Sequence, residues 1–203
     1  MHEYDQIAAW YTRTRSASVG VPDLAALART LPTGASVLDI GCGDGVPLSR
    51  FLVDDGFAVT GLDSSAEMVR RFRARLPGVP VWHGWADASD FEAGSFDAVV
   101  AWGVLFHLSV EEQGALVRKV SAWIRPGGRF LFTSGDVEGE REGTMDGVAF
   151  RYVSLDRDGY RRLLARSGLR LTTDYADAYD NHVYIAEAGP DVAREHGPRP
   201  PRP

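Results

Sequence analysis

Val37-Leu38-Asp39-Ile40-Gly41-Cys42-Gly43-Asp44-Gly45 is the stretch on which the reading of this chain turns. Val37 to Ile40 set one acid among apolar residues, the pattern of a buried parallel strand. Three glycines at alternate positions follow, and Val46 to Leu52 begin a helical pattern. A strand, a glycine-rich turn and a helix form a cradle for a ligand. Glycine takes backbone angles closed to other residues, and its missing side chain lets a bound group lie against the main chain. The plainer alternative is a tight strand-to-helix turn with surface acids.

The acids select among ligands. A dinucleotide places its pyrophosphate beside the turn and the helix N-terminus, where Asp39 and Asp44 would repel it. The spacing is also Gly-x-Gly-x-Gly rather than Gly-x-Gly-x-x-Gly. S-adenosylmethionine has no phosphate and carries a sulfonium and an ammonium, which an acid at the strand end attracts. Asp63 comes eighteen residues after Gly45, in Ala58-Val59-Thr60-Gly61-Leu62-Asp63. An acid at the tip of the second strand is placed to accept both ribose hydroxyls and is expected to carry little of the fold.

Four segments together resemble the class I S-adenosylmethionine-dependent methyltransferases. They are the Asp39 to Gly45 loop, Asp63, Gly84-Trp85-Ala86-Asp87, and Ile124-Arg125-Pro126-Gly127-Gly128 before a strand. The opening Tyr4-Asp5-Gln6-Ile7-Ala8-Ala9-Trp10-Tyr11 and the run Trp102-Gly103-Val104-Leu105-Phe106-His107-Leu108 are similar to those of the family's small bacterial stand-alone members. The resemblance extends over about residues 4 to 187. It implies the cofactor S-adenosyl-L-methionine, with S-adenosyl-L-homocysteine as product, and does not specify the acceptor.

Composition fits one domain: 203 residues, 44% hydrophobic and 25% charged. No apolar run has the length of a membrane span, and Met1-His2-Glu3-Tyr4-Asp5 lacks a signal peptide's regions. The single cysteine, Cys42, excludes an intrachain disulfide and suits a reducing cytoplasm. A small residue packed under the turn explains Cys42 better than a nucleophile. The net charge of −6 offers no global attraction to nucleic acid or an anionic membrane. Arg70-Arg71-Phe72-Arg73-Ala74-Arg75 is basic, but without a companion patch it reads as a solvated helix face. Oligomeric state, monomer or homodimer, is left open.

Helices are expected over 2–15, 22–31, 46–54, 64–75, 110–124 and 156–167, and strands near 35–40, 57–62, 79–83, 96–102 and 128–134. Alternating strands and helices demand a parallel sheet covered on both faces. Two last strands, near 169–176 and 182–187, lack a helix between them and should pair as an antiparallel hairpin at the sheet edge. The fold class is α/β: a single-domain Rossmann-like seven-stranded sheet, parallel with an antiparallel last strand, helices on both faces. Residues 1–187 form the domain, and 188–203 read as a flexible Pro/Arg-rich tail. The segment Gly135 to Tyr152 reads as a long insert, functional or mobile.

Ligands of open parallel sheets bind beyond the carboxyl ends of the strands. Asp39, Gly41, Cys42, Gly43, Gly45, Asp63 and Ser64 therefore frame the cofactor. Asp87 can accept from the adenine amino group within Trp85-Ala86-Asp87, while Met68 or Trp85 packs on the ring. A carbonyl of Ala101 or Trp102 can accept from the methionine ammonium, and Tyr11 can bond its carboxylate. Arg15 can pair with that carboxylate or with an acidic acceptor. Helix 2–15 is alternatively a plain cover for the sheet, whereas in similar enzymes such a segment closes over the cofactor. Phe106 and His107 follow where the acceptor sits, and His107 is either a general base, an acceptor-orienting residue or a structural histidine. Tyr4, Arg15, Phe106, Met145, Tyr152 and Asn181 are the candidate acceptor contacts, and no metal site is seen.

Amine methyltransferases of bases or glutamine carry an Asp/Asn-Pro-Pro-aromatic turn where this chain has Ala101-Trp102-Gly103-Val104, and Cys42 lacks the Pro-Cys context of cytosine C5 enzymes. The sequence therefore points to single-displacement transfer to an oxygen, nitrogen or sulfur nucleophile of a small molecule, a reaction driven by alignment. A peptide or protein methyltransferase and a non-catalytic S-adenosylmethionine-binding module are the alternatives.

Overall fold

The computed structural model describes residues 3–189. A seven-stranded sheet runs in the order β3-β2-β1-β4-β5-β9-β8. Its strands are β1 (Ser36–Ile40), β2 (Ala58–Asp63), β3 (Val81–His83), β4 (Phe96–Ala101), β5 (Ile124–Ser134), β8 (Leu169–Ala176) and β9 (His182–Ala188). The first five pair in parallel, and β9 lies antiparallel between β5 and β8. The helices are α1 (Glu3–Thr14), α2 (Val21–Ala28), α3 (Leu48–Asp54), α4 (Ala66–Arg75), α5 (Val110–Trp123) and α6 (Arg157–Arg166).

Two-residue alternation along the strands builds one core on each face. Leu38 and Ile40 of β1, Val99 of β4 and Phe130 and Phe132 of β5 pack with Trp123 of α5 and Tyr160 of α6. Val37, Val100 and Leu131 point the other way, onto Leu24 and Leu27 of α2 and Leu48 and Leu52 of α3. The chain leaves β1 for β2 on one side and later returns to place β4 on the other. A cleft opens where the order reverses, beyond the carboxyl ends of β1 and β4.

Helix starts carry their chemical signals. Ser65 caps α4 by accepting from Met68 N–H, and Ser109 with Glu112 makes a reciprocal capping box on α5. Such caps satisfy amides that the first turn leaves open.

The structure corrects the reading of Gly135 to Tyr152 as a loop. It is a two-stranded antiparallel hairpin of β6 (Gly139–Met145) and β7 (Val148–Ser154). Asp146 and Gly147 form its turn with φ of 48° and 79°, the left-handed pair that a tight twisted hairpin requires. Of the expected tail, Ala188 still belongs to β9, and Gly189 N–H donates to Gly168 O at 3.3 Å. The remainder, from 190, lies outside the described residues.

Candidate active site

The turn after β1 is folded over the end of β2. Gly41 and Cys42 N–H both donate to Leu62 O, at 2.7 and 3.2 Å. Gly41 has φ +68°, and a Cβ there would meet Val104 Cγ2 at 2.3 Å. Gly43 has φ +56°, but a Cβ there would enter open space. The first glycine is fixed by close packing, and the second leaves main chain bare toward the cleft.

Asp63 ties three segments together. Its Oδ2 accepts from Gly43 N–H and its Oδ1 from Ser65 N–H, each at 2.8 Å. Its carbonyl accepts from Gly84 N–H at 2.9 Å. The carboxylate is buried, yet it lines the cleft. A carboxylate accepts several hydrogen bonds at once, so a ligand in the cleft can bond to Asp63 alongside these amides. These bonds also correct the expectation that a strand-tip acid carries little of the fold.

The cleft encloses about 350 Å³. Gly41, Gly43, Asp63, Ser64 and Met68 line one half, continued by Trp85, Ala86, Asp87 and Trp102. Asp87 lies exposed at the rim, and Trp85 is 53% exposed beside it. Met68 is buried beneath them. Tyr11 enters from α1 and Arg15 from just past its end, the Arg15 guanidinium 5.4 Å from the Tyr11 ring centroid. α1 is anchored to α4, because Asp5 Oδ1 accepts from Ser65 Oγ at 2.5 Å and Glu67 N–H at 3.2 Å.

The other half is aromatic. Tyr4 of α1, His107 after β4 and Phe150 of β7 line it and pack with ring centroids 5.2–5.6 Å apart. Tyr4 Oη and His107 Nε2 share a hydrogen bond of 3.0 Å. Burial, reinforced by the neighbouring Tyr11, pushes the Tyr4 phenol far above its ordinary value, so it stays neutral.

Several candidates lie elsewhere. Asp39 does not line the cleft: alternation along β1 turns it to the α3 face, where Oδ2 accepts from Ser49 Oγ at 2.5 Å. Burial raises its carboxyl to about 6 against that bond and the nearby Arg15. Asp44 pairs with Arg75 at 3.0 Å, so its charge does not bear on a pyrophosphate in the cleft as the sequence suggested. Cys42 and Gly45 pack on Phe72 and Leu76, and Ala101 is wholly buried. Burial, then the Asp39 and Asp63 carboxylates, push the Cys42 thiol up, which removes it as a nucleophile. Phe106 and Tyr152 back the His107 ring, at 4.7 and 5.3 Å, rather than line the cleft. Met145 sits at the hairpin turn, and the Asn181 amide donates to Asp177 Oδ2 at 2.9 Å. Both stay outside the cleft lining.

Leu108, Glu112 and Leu116 line the cleft as well, and so do Ala149 and Arg151. The Ser109 to Glu112 capping box and the Asp146-Gly147 turn mark in sequence the helix and the hairpin that carry them. No helix among the described residues is long and apolar enough to cross a membrane. No group of three or more His, Cys, Asp or Glu among them is set to hold a metal.

Residues 37–128 match the family model described as "Methyltransferase domain". The dTDP-3-amino-3,4,6-trideoxy-alpha-D-glucopyranose N,N-dimethyltransferase of Streptomyces venezuelae is 34% identical over 177 residues, covering 84% of this chain and 70% of that enzyme. The ubiquinone biosynthesis O-methyltransferase of Xanthomonas axonopodis pv. citri is 36% identical over 112 residues, 53% of this chain. The tRNA U34 carboxymethyltransferase of Idiomarina loihiensis is 31% identical over 122 residues, 56% of this chain. The chain spans only 46% and 36% of those two relatives' lengths. Among solved structures, the CcbJ methyltransferase from Streptomyces caelestis shares the fold at a TM-score of 0.76, with 20% identity over 92% of this chain and 98% of that one. The S-adenosylmethionine-bound amino pentose methyltransferase CalS10 from Micromonospora echinaspora does so at 0.70, with 21% identity over 92% and 97%.

Proposed function

The chain belongs to the class I S-adenosylmethionine-dependent methyltransferases, and from that premise we propose that it methylates an oxygen, nitrogen or sulfur nucleophile of a small molecule. The cofactor supplies, when bound, a methyl carbon made electrophilic by its sulfonium. The donor set fits it: a carboxylate at the tip of β2, bare main chain at Gly43, an exposed acid and indole at the rim, and the Arg15 cation just past α1. In this reading Asp63 accepts from the ribose hydroxyls and Asp87 from the adenine amino group. Trp85 and Met68 hold the adenine faces, the Trp102 carbonyl takes the ammonium, and Arg15 with Tyr11 takes the carboxylate.

His107 takes up the acceptor's proton where the acceptor carries one, as the bond from nucleophile to methyl forms and the bond from methyl to sulfur breaks. Tyr4 holds the imidazole through its phenol. The aromatic walls keep water from the reacting atoms, and alignment supplies most of the acceleration.

One observation carries the choice of a small acceptor. Tyr4 of α1, His107 of the turn after β4 and Phe150 of the hairpin wall the aromatic half of the cleft with rings in mutual contact, which favours a small acceptor held between them. Three of the four arginines of α4 are also engaged within the protein, Arg70 and Arg71 with Glu67 and Arg75 with Asp44, which argues against a dedicated phosphate-binding face. The test supplies methyl-labelled cofactor and protein to a cell extract, then separates metabolites, RNA and protein. Label in a metabolite is expected. Label in RNA or protein would overturn the acceptor class. Cofactor binding with no label anywhere would favour a binding module.

A further inference from the structure

Gln113 is wholly buried on α5, and it does not line the cleft. Its carboxamide is fully engaged. Nε2 donates to Leu108 O at 3.0 Å and to Val153 O at 2.9 Å, and Oε1 accepts from Tyr160 Oη at 2.9 Å. The two carbonyls can only accept, which fixes the orientation of the amide.

The two carbonyls belong to different walls. Leu108 lines the cleft beside His107, in the turn after β4. Val153 lies on β7, two residues past Arg151 and three past Phe150, which line the hairpin wall. Tilted ring contacts from His107 to Phe150 and Tyr152 also join these walls, but they carry no directional bond. A pair of hydrogen bonds from one rigid amide fixes both segments in register. An apolar residue would fill the same volume and take both of these donors away from the two carbonyls, which makes the connection costly to break.

We propose that Gln113 is a positioning residue that couples filling of the cofactor half of the cleft to fixing of the hairpin wall on the acceptor half. The inference rests on the division of the cleft in the proposed function. The turn after β4 starts at Trp102 on the cofactor half and runs to Leu108 beside the acceptor half. A cofactor seated against Trp102 steadies the turn and with it Leu108 O, the Gln113 amide passes that restraint to Val153, and the hairpin is held. The acceptor wall is then complete only when the cofactor is present, so cofactor binds first.

The experiment is hydrogen exchange of the backbone amides of 139–154, with and without S-adenosylhomocysteine, in the full chain. At about ten times Kd, full coupling slows exchange roughly tenfold, because the factor is one plus the ratio of ligand to Kd. Gln113→Met keeps the volume and removes both donors. It should bind S-adenosylhomocysteine and lose the slowing. Gln113→Asn, one methylene short, serves if the first variant does not fold. Tyr160→Phe removes a bond to Gln113 but leaves both Nε2 donations, so it should lower stability and keep the slowing. A wild-type hairpin indifferent to the ligand, a Gln113 variant that retains the slowing, or equal loss in Tyr160→Phe would each overturn the proposal. Failure of the wild-type protein to bind S-adenosylhomocysteine by calorimetry would instead remove the cofactor reading, and the inference with it.

Discussion

Replacing Asp39 by asparagine should make the protein less sensitive to pH. Asp39 is 2% exposed in the middle of the sheet, paired with Gly61 on one side and Val100 on the other. Burial lifts its carboxyl from 3.8 to about 6, and the Ser49 hydroxyl only partly offsets this. The folded state therefore holds the Asp39 proton more tightly than the unfolded chain does. This contribution to stability is complete below about pH 4 and is lost as pH rises through about 6. That rise corresponds to about 3 kcal/mol as an upper figure. Asparagine cannot ionise and can still accept from Ser49, while its extra N–H₂ adds a cost of about 1–2 kcal/mol that does not vary with pH. The stability difference, variant minus wild type, should therefore grow by up to about 3 kcal/mol between about pH 4 and pH 8. Urea unfolding across that range measures it directly. Parallel pH profiles for the two proteins would refute the reasoning, because they would mean that Asp39 titrates alike folded and unfolded.

Two further perturbations test the site. His107→Ala should cut turnover by roughly 10²–10⁴-fold while leaving S-adenosylhomocysteine affinity near wild type, if the imidazole takes the acceptor's proton. Loss confined to KM would make it an acceptor-orienting residue, and an unchanged rate would leave alignment alone as the source of catalysis. Gly41→Ala puts a methyl 2.3 Å from Val104 Cγ2 at a φ of +68°. It should lower stability by about 2–3 kcal/mol, roughly 5–10 °C in Tm for a chain of this size, and a melting curve within about 1 °C of wild type would contradict that packing.

Most of the fold was legible because strands buried on both faces are apolar along their length, and helices announce themselves with caps such as Ser65 and Ser109. The hairpin was missed although its signal was present: Asp146-Gly147 is a two-residue turn, and Val148, Phe150 and Tyr152 alternate after it. Its strands also carry many charges, which masked that alternation. Placing Asp39 in the cleft overlooked the period of the strand, since Leu38 and Ile40 face one core and Asp39 must face the other. Other contacts had no local signal. Arg75 reaches Asp44 across 31 positions of sequence, and Tyr4 meets His107 across 103. Only the assembled sheet brings those pairs together. Asp63 was legible as a strand-tip acid, but not its grip on Gly43 and Ser65, which follows from how the turn folds over β2.

Titration calorimetry on Asp63 tests the central claim most directly, that an acid-tipped glycine cradle makes this a cleft for S-adenosylmethionine. The wild-type protein should bind S-adenosylhomocysteine with a Kd on the order of micromolar and give no measurable heat with a nicotinamide dinucleotide. Asp63→Ala should weaken S-adenosylhomocysteine binding by about 1.5–3 kcal/mol, on the order of 10–150-fold, as a charge-assisted hydrogen-bonding partner is removed. Because Asp63 also accepts from Gly43 and Ser65, the variant should be less stable, and the titration belongs well below its melting temperature. Affinity equal to wild type in the folded variant, or tight dinucleotide binding with no response to S-adenosylhomocysteine, would contradict the account.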